Sequence, residues 1–199
     1  LRSNTMANRN SAGFGFIPAA TLGNTPATQG LSKYWIDAAS TVDLYHGGAV
    51  EITAGYVTSA ELTPATRPVI GVLNGIFYNA TSTKKPTWAN WYEQPITPAN
   101  SEDIQAFVND YPFQEYVVAT DDTVTRASFM ETYSCFNNTG GTDATGVSST
   151  TLDIGSTSGT ANQWRLIREA EDPENQDISL AYCSVIVVQS TNQIVTQTT

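Results

Sequence analysis

Charged residues are scarce in this chain of 199 residues: they make up 14% of it, with 9 basic against 19 acidic side chains. Uncharged polar residues and glycine take their place, a composition typical of β-sheet surfaces and turns rather than of helical enzymes. The formal net charge of −10 disfavours contact with the phosphate backbone of nucleic acids. We therefore expect no direct nucleic-acid partner.

Long apolar runs are also missing. No stretch approaches the roughly 20 consecutive apolar residues of a membrane-spanning helix. The longest run, Val185-Ile186-Val187-Val188, has the length of a strand. The first residues lack the apolar stretch of a secretory signal, and Met6-Ala7-Asn8 reads as a translation start. We expect no membrane partner.

Histidine and cysteine, which supply much of enzyme and metal chemistry, are rare. The single histidine, His46, precedes two glycines and has no nucleophile motif near it. The two cysteines, Cys135 and Cys183, are either a disulfide or two small buried residues, and the second interpretation is favoured. No zinc-ligand spacing, phosphate-binding loop or dinucleotide motif occurs. These absences predict a protein that is not an enzyme and that carries no cofactor or metal.

Acidic residues concentrate at two places, residues 169–174 and the pair Asp121-Asp122. The first follows a predicted strand and contains proline, so it reads as a solvated loop, with calcium binding as the alternative. The pair reads as a turn. Neither supplies the two facing carboxylates that glycoside hydrolysis needs.

Short segments rich in β-branched and aromatic residues alternate with turn signals from residue 32 onwards. They lie at residues 33–36, 42–45, 49–53, 55–60, 69–78, 104–108, 115–119, 151–154, 163–167 and 182–189. Many short strands without an alternating helix rhythm predict an all-β fold, either a β-barrel or a β-sandwich. Gly71 and Gly75 within one strand predict bulges or bends.

The chain divides into three predicted parts: an extended N-terminal arm over residues 1–30, a β-rich domain over 31–190 and a polar C-terminal tail over 191–199. We predict at most one short helix, over residues 129–136. The segments at 42–45 and 49–53 are predicted to pair as a hairpin, because the intervening Gly47-Gly48 permits positive φ.

The arm contains too many glycines and prolines for a helix, yet it carries the apolar side chains of Phe14, Phe16 and Ile17. Two destinations are open for these groups: the protein's own domain or a neighbouring subunit. In the second case Arg9 adds a charged contact.

A second candidate surface lies in the proline-rich segment 80–101. Trp88, Trp91 and Tyr92 could form an aromatic platform for a sugar or a protein partner. The alternative is a loop that these rings fix to the core of the domain.

Several stretches, taken in order, resemble a group of virion structural proteins of tailed phages, of the type found in marine podoviruses and cyanophages. They are Gly13-Phe14-Gly15-Phe16-Ile17-Pro18-Ala19, Ser32-Lys33-Tyr34-Trp35-Ile36, Gly47-Gly48-Ala49-Val50, Val69-Ile70-Gly71-Val72-Leu73-Asn74-Gly75, the segment from Tyr78 to Trp91, Gly146-Val147-Ser148-Ser149-Thr150-Thr151-Leu152-Asp153, Gln163-Trp164-Arg165-Leu166-Ile167 and Asp172-Pro173-Glu174-Asn175. The chain departs from the pattern at Ile17 and at Arg168-Glu169.

This resemblance implies a capsid decoration or head-stabilising protein on the outer capsid surface of the virion. The implied partner is the major capsid protein, with self-association as a homo-oligomer, a trimer being favoured. Arg9, Phe14, Phe16 and Ile17 would then form a capsid-binding arm. The competing interpretation is a carbohydrate-binding or adhesin module of a virion fibre or tail, using Trp88, Trp91 and Tyr92.

Overall fold

The computed structural model describes residues 7–22, 25–26, 30–60, 67–158 and 162–195. The fold is nearly all β, with 46% of residues in strands and 3% helical, and the all-β prediction is confirmed. Within the described ranges, helical structure is confined to two short 3-10 turns, Ala99–Ser101 and Arg126–Ser128. No helix in these ranges is long and apolar enough to cross a membrane.

The described residues form fifteen strands, and all of their pairings are antiparallel. The strands are β1 Ile17–Thr21, β2 Thr25–Pro26, β3 Ser32–Ile36, β4 Ala49–Thr53, β5 Tyr56–Ser59, β6 Gly71–Asn79, β7 Pro86–Ala89, β8 Ile104–Asn109, β9 Gln114–Ala119, β10 Thr132–Phe136, β11 Gly141–Thr142, β12 Val147–Ser148, β13 Thr151–Ser158, β14 Trp164–Glu169 and β15 Ser184–Gln189. A larger sheet has the order β13-β10-β14-β15-β9-β1-β2, and a smaller sheet has the order β3-β8-β6-β4-β5 with β7 paired to β6. β11 and β12 form a separate hairpin.

The smaller sheet curls around a core of its own. Its two edge strands, β3 and β5, approach each other without pairing, so the sheet is not a closed barrel. The inward side chains are almost fully removed from solvent: Ile36, Leu44, Val50, Val57, Ile70, Leu73, Ile76, Tyr92, Ile104, Ala106 and Val108.

A second core lies where the larger sheet packs against the outer side of the smaller one. The larger sheet contributes Tyr116, Val118, Tyr133, Cys135, Leu152, Trp164, Leu166, Val185 and Val187. The smaller sheet contributes Ala49 and Val72, whose neighbours Val50 and Leu73 point the other way into the curled core. This strict alternation is what a strand with two buried faces requires. The architecture is therefore sandwich-like, and the barrel alternative is not adopted.

The predicted helix over residues 129–136 is wrong. Thr132–Phe136 is β10, which pairs with β13 and β14 and is buried from Thr132 to Cys135. The 3-10 turn at Arg126–Ser128, closed by a capping box from Thr125 to Ser128, is the nearest helical structure. A β-branched and aromatic segment between two partner strands forms a strand because packing on both faces outweighs local propensity.

The predicted hairpin between residues 42–45 and 49–53 is also wrong. β4 pairs with β5 through Ala54 and Gly55, which have φ angles of 52° and 91°. Two consecutive residues of positive φ suit the tight hairpin turn that matches strand twist. Leu44 instead forms a bridge with Tyr92.

Both ends of the described chain lie along the domain. β1 pairs with β9, and Phe16 just before it is buried in the core between the sheets. Near the other end, the Gln193 side chain bonds both the N–H and the carbonyl of Ile52, and Asn192 is buried. Residues 1–6, 23–24, 27–29 and 196–199 of the predicted arm and tail lie outside the described residues.

Both cysteines are free thiols in the core between the sheets. Cys183 Sγ lies 3.3 Å from Thr120 Oγ1, and Cys135 Sγ lies 3.8 Å from Gln163 Oε1. Burial raises the pKa of the Cys135 thiol to about 12 and also raises the pKa of Cys183. The favoured prediction, two small buried residues rather than a disulfide, is confirmed.

We predict that Phe16→Ala lowers the free energy of unfolding by about 3–5 kcal/mol, because it removes a fully buried ring from the core between the sheets. Urea unfolding followed by circular dichroism measures the change. Ile17→Ala, at a half-exposed position one residue later, is the matched control and should cost less than about 1 kcal/mol. Equal effects of the two substitutions would contradict the burial of Phe16.

We further predict that neither thiol reacts with a disulfide reagent at pH 8 while the protein is folded. Thiolate is the reactive species, and the raised pKa values keep both groups protonated at that pH. Addition of urea should release two reactive thiols per chain. Rapid labelling of the folded protein would overturn this prediction.

Candidate functional site

The outward side of the smaller sheet carries a group of aromatic side chains. Trp35 on β3 lies opposite Gln105 on β8, which lies opposite Phe77 on β6, which lies opposite Trp88 on β7. Phe107, on the same side of β8, lies opposite Gly75. We call this surface the aromatic face and define it by Trp35, Phe77, Trp88 and Phe107.

Much of the aromatic face is open to solvent. Trp88 is 51% exposed and Trp35 is 40% exposed, while Phe77 and Phe107 are half-buried. The rings of Trp88 and Phe107 pack with centroids 5.1 Å apart, and Lys33 Nζ lies 5.3 Å from the centre of the Trp35 ring. A sheet with one face buried normally presents polar side chains on the other, so a group of exposed aromatic rings on that side indicates an interaction surface.

Gly75 shapes this face. The register of β6 against β8 shifts between Leu73 and Gly75, which confirms the bulge predicted there. A Cβ atom at Gly75 would lie 2.6 Å from the Trp88 ring and 2.9 Å from the carbonyl oxygen of Ala89. The absence of a side chain at this position therefore lets the Trp88 indole lie on the sheet.

A cleft of about 620 Å³ adjoins the aromatic face at Trp35. Its lining combines an aromatic wall, two carboxylates and several hydrogen-bonding groups: Trp35, Ala54, Gly55, Tyr56, Ser101, Glu102, Asp103 and Gln105. The Tyr56 hydroxyl donates to Asp103 Oδ2 at 3.3 Å, and Asn79 Nδ2 donates to Glu102 Oε2 at 3.3 Å.

The cleft is electrostatically negative. The charge of Asp103 raises the pKa of Tyr56, with further contributions from its hydrogen bond and from Asp37. Within the part of the chain that the structure describes, no lysine or arginine forms an ion pair with Glu102 or Asp103. The two carboxylates are thus available to a ligand of positive charge or to hydroxyl groups.

The three aromatic residues predicted in the segment 80–101 do not form one surface. Trp88 belongs to the aromatic face. Trp91 is half-buried and stacks on Tyr45 with ring centroids 4.9 Å apart. Tyr92 is fully buried in the core of the smaller sheet, where its hydroxyl donates to the carbonyl oxygen of Ser40 at 3.0 Å. The predicted platform is therefore wrong in part: Trp88 is exposed as predicted, but its neighbours on the aromatic face are rings from other strands.

The four residues predicted to form the capsid-binding arm also lie in different environments. Phe16 is 1% exposed and stacks on Trp164 within its own domain, so it is not available to a neighbouring subunit. Arg9 Nη1 forms an exposed ion pair with Glu174 Oε2 at 2.7 Å. Phe14 is half-buried, and Ile17 is 50% exposed. Among the four predicted contacts, Ile17 offers the most exposed apolar surface.

A second exposed apolar patch lies beyond the end of β1. The rings of Tyr111 and Phe113 meet edge to face with centroids 5.9 Å apart, and the N–H of Leu22 donates to the Phe113 carbonyl. Each of these three side chains is more than two-fifths exposed. We call Leu22, Tyr111 and Phe113 the arm patch.

Sequence reasoning missed Trp35, Phe77 and Phe107 as surface residues. A usable signal was present: β3 and β8 carry large apolar residues at both odd and even positions, as in Tyr34-Trp35 and Phe107-Val108. A strand that is apolar on both sides is either buried twice or presents an interface.

The remaining candidate groups have local structural contacts. His46 Nδ1 lies 2.8 Å from the carbonyl oxygen of Asn74. Asp172 accepts from Asn175 Nδ2 at 2.7 Å and from the N–H of Glu174 at 3.1 Å, and these bonds lower its pKa. In the described ranges, no three histidine, cysteine or acidic side chains come together as metal ligands.

We predict that Tyr92→Ala destabilises the protein by about 3–5 kcal/mol, whereas Trp88→Ala costs about 1 kcal/mol. The first removes a fully buried ring and its hydrogen bond, and the second removes a half-exposed ring from the outer side of the sheet. Thermal and urea unfolding of both variants measure the difference. Comparable losses would contradict the separation of these two neighbours into core and surface.

No protein-family model, curated protein or solved structure matches this chain.

Proposed function

We propose that this protein is a capsid decoration protein that binds the major capsid protein on the outer surface of a tailed-phage head. The observation that carries the proposal is the aromatic face, a solvent-exposed group of rings on the outward side of a well-packed sheet. The ordered resemblance of the sequence motifs to virion structural proteins supplies the identity of the partner.

The chemistry of the aromatic face suits a protein interface. Tryptophan is enriched among the residues that dominate interface binding energy, since one ring removes a large apolar area from water. Because the rings are mounted on paired strands, little backbone entropy is lost on binding. A stable contact buries about 800 Å² on each partner, which requires residues around these four rings as well.

The charge of the chain supports the outward location. A net charge of −10 repels packaged nucleic acid and favours a partner surface of positive charge. Binding only to the assembled lattice stabilises that lattice by mass action, because separate capsid subunits do not present the complete site.

Self-association is the second part of the proposal. The arm patch and Ile17 expose apolar side chains away from the core, and a homo-trimer would bury them between copies while matching the local symmetry of a capsid. Several copies joined in this way would bind the lattice at higher effective concentration.

A carbohydrate-binding module is the second candidate function. The cleft at Trp35 favours it, since an aromatic wall with carboxylate, hydroxyl and amide groups can hold a sugar ring. Such a module would belong to a virion fibre or tail.

We predict that the purified protein co-sediments with empty capsids of its virus, saturating at a fixed copy number per capsid. Trp88→Ala should weaken this binding at least about tenfold, a loss of about 1.4 kcal/mol, because it removes the most exposed ring of the aromatic face. Quantitative co-sedimentation over a range of protein concentrations measures both values.

Phe136→Ala is the matched control, because Phe136 is a comparably exposed ring on β10 of the larger sheet. It should leave capsid binding unchanged. Absence of saturable binding by the folded wild-type protein would overturn the decoration proposal. Glycan-array binding that Trp35→Ala abolishes would support the carbohydrate-binding candidate in its place.

A further inference from the structure

We infer that the acidic cleft beside Trp35 receives an arginine side chain of the protein partner. This inference rests on the proposed function, because it names the chemistry that the partner presents next to the aromatic face. The cleft and the face share Trp35 and Gln105, so one partner surface can cover both.

The charges of the cleft select a cation. Glu102 and Asp103 line it, and none of the described residues lining it is a lysine or an arginine. Bringing an uncharged surface against two carboxylates would remove their hydration without replacing it, which costs free energy. A partner that covers the cleft must therefore bring positive charge or leave the carboxylates in water.

The aromatic wall favours a guanidinium group among the possible cations. A guanidinium is planar, stacks on an indole ring and donates two parallel hydrogen bonds to a carboxylate. The Trp35 ring already has one cation near it, because Lys33 Nζ lies 5.3 Å from the ring centroid. Lys33 does not line the cleft, so its ammonium group is not part of the proposed arginine site.

The walls of the cleft are set by paired backbone. Trp35 and Gln105 are register partners on β3 and β8, Gly55 belongs to the tight turn that joins β4 to β5, and Tyr56 is the first residue of β5. The indole and the β4–β5 wall are thereby held by paired backbone, and Asp103 is joined to that wall by the hydrogen bond from the Tyr56 hydroxyl.

The test is a titration of the folded, isotopically labelled protein with N-acetyl-arginine amide, followed by NMR. We expect saturable shifts of the Trp35 indole and the Gly55 amide. The matched neutral probe is N-acetyl-citrulline amide, which has nearly the same shape without the charge, and it should bind at least about tenfold more weakly.

The double variant Glu102→Gln with Asp103→Asn should reduce arginine-amide binding at least about tenfold. The control variant Glu171→Gln with Asp122→Asn removes two exposed carboxylates on loops beside the larger sheet, and it should leave the titration unchanged. Equal binding of the citrulline probe, or unchanged binding by the cleft variant, would overturn the inference.

Two further comparisons distinguish the competing explanations. Methyl glycosides that shift the Trp35 indole, when the arginine probe does not, would overturn the inference in favour of a sugar site. Because these titrations contain no capsids, their success alongside failed co-sedimentation would refute the decoration function and retain an arginine-binding cleft. Capsid binding that the cleft variant leaves intact would refute the inference and retain the decoration function.

Discussion

The packing of Phe16 on Trp164 is the interaction on which the two-sheet structure depends. The two rings stack with centroids 4.1 Å apart, and both meet Tyr116 edge to face. Trp164 and Tyr116 belong to different strands of the larger sheet, while the N–H of Phe16 donates to the carbonyl of Gly47, just before β4 of the smaller sheet. One residue of the N-terminal segment thus packs its ring on the larger sheet and bonds its backbone to the segment that leads into the smaller sheet.

This packing also decides which surface remains open. The larger sheet covers the smaller one around Ala49 and Val72, and the curl of the smaller sheet carries the outward side of β3, β7 and β8 away from that contact. The rings of Trp35 and Trp88 therefore remain in solvent, although Ile36 of β3 belongs to the inner core and Ala89 of β7 packs against it. Their exposure thus follows from the fold.

The strands themselves were largely predictable, because alternation and β-branched residues are local signals. β4 matches its predicted range, and β8 and β15 differ from theirs by one or two residues. Pairing partners were not predictable, since they depend on contacts far apart in sequence: β10 lies between two strands of the larger sheet, and its local pattern had suggested a helix. Phe16 could not be assigned for the same reason, because its partner Trp164 is distant along the chain.

Two kinds of group would contribute to binding at the proposed site, aromatic rings and carboxylates. Rings on paired strands supply affinity through apolar burial, at little cost in conformational entropy. The carboxylates beside them would favour a partner that presents a matching cation and disfavour a partner that lacks one. A negatively charged cleft next to an exposed aromatic face would therefore provide selectivity as well as affinity. The cleft would also reduce nonspecific association of the exposed rings, because a purely apolar partner would remove water from Glu102 and Asp103 without replacing its hydrogen bonds.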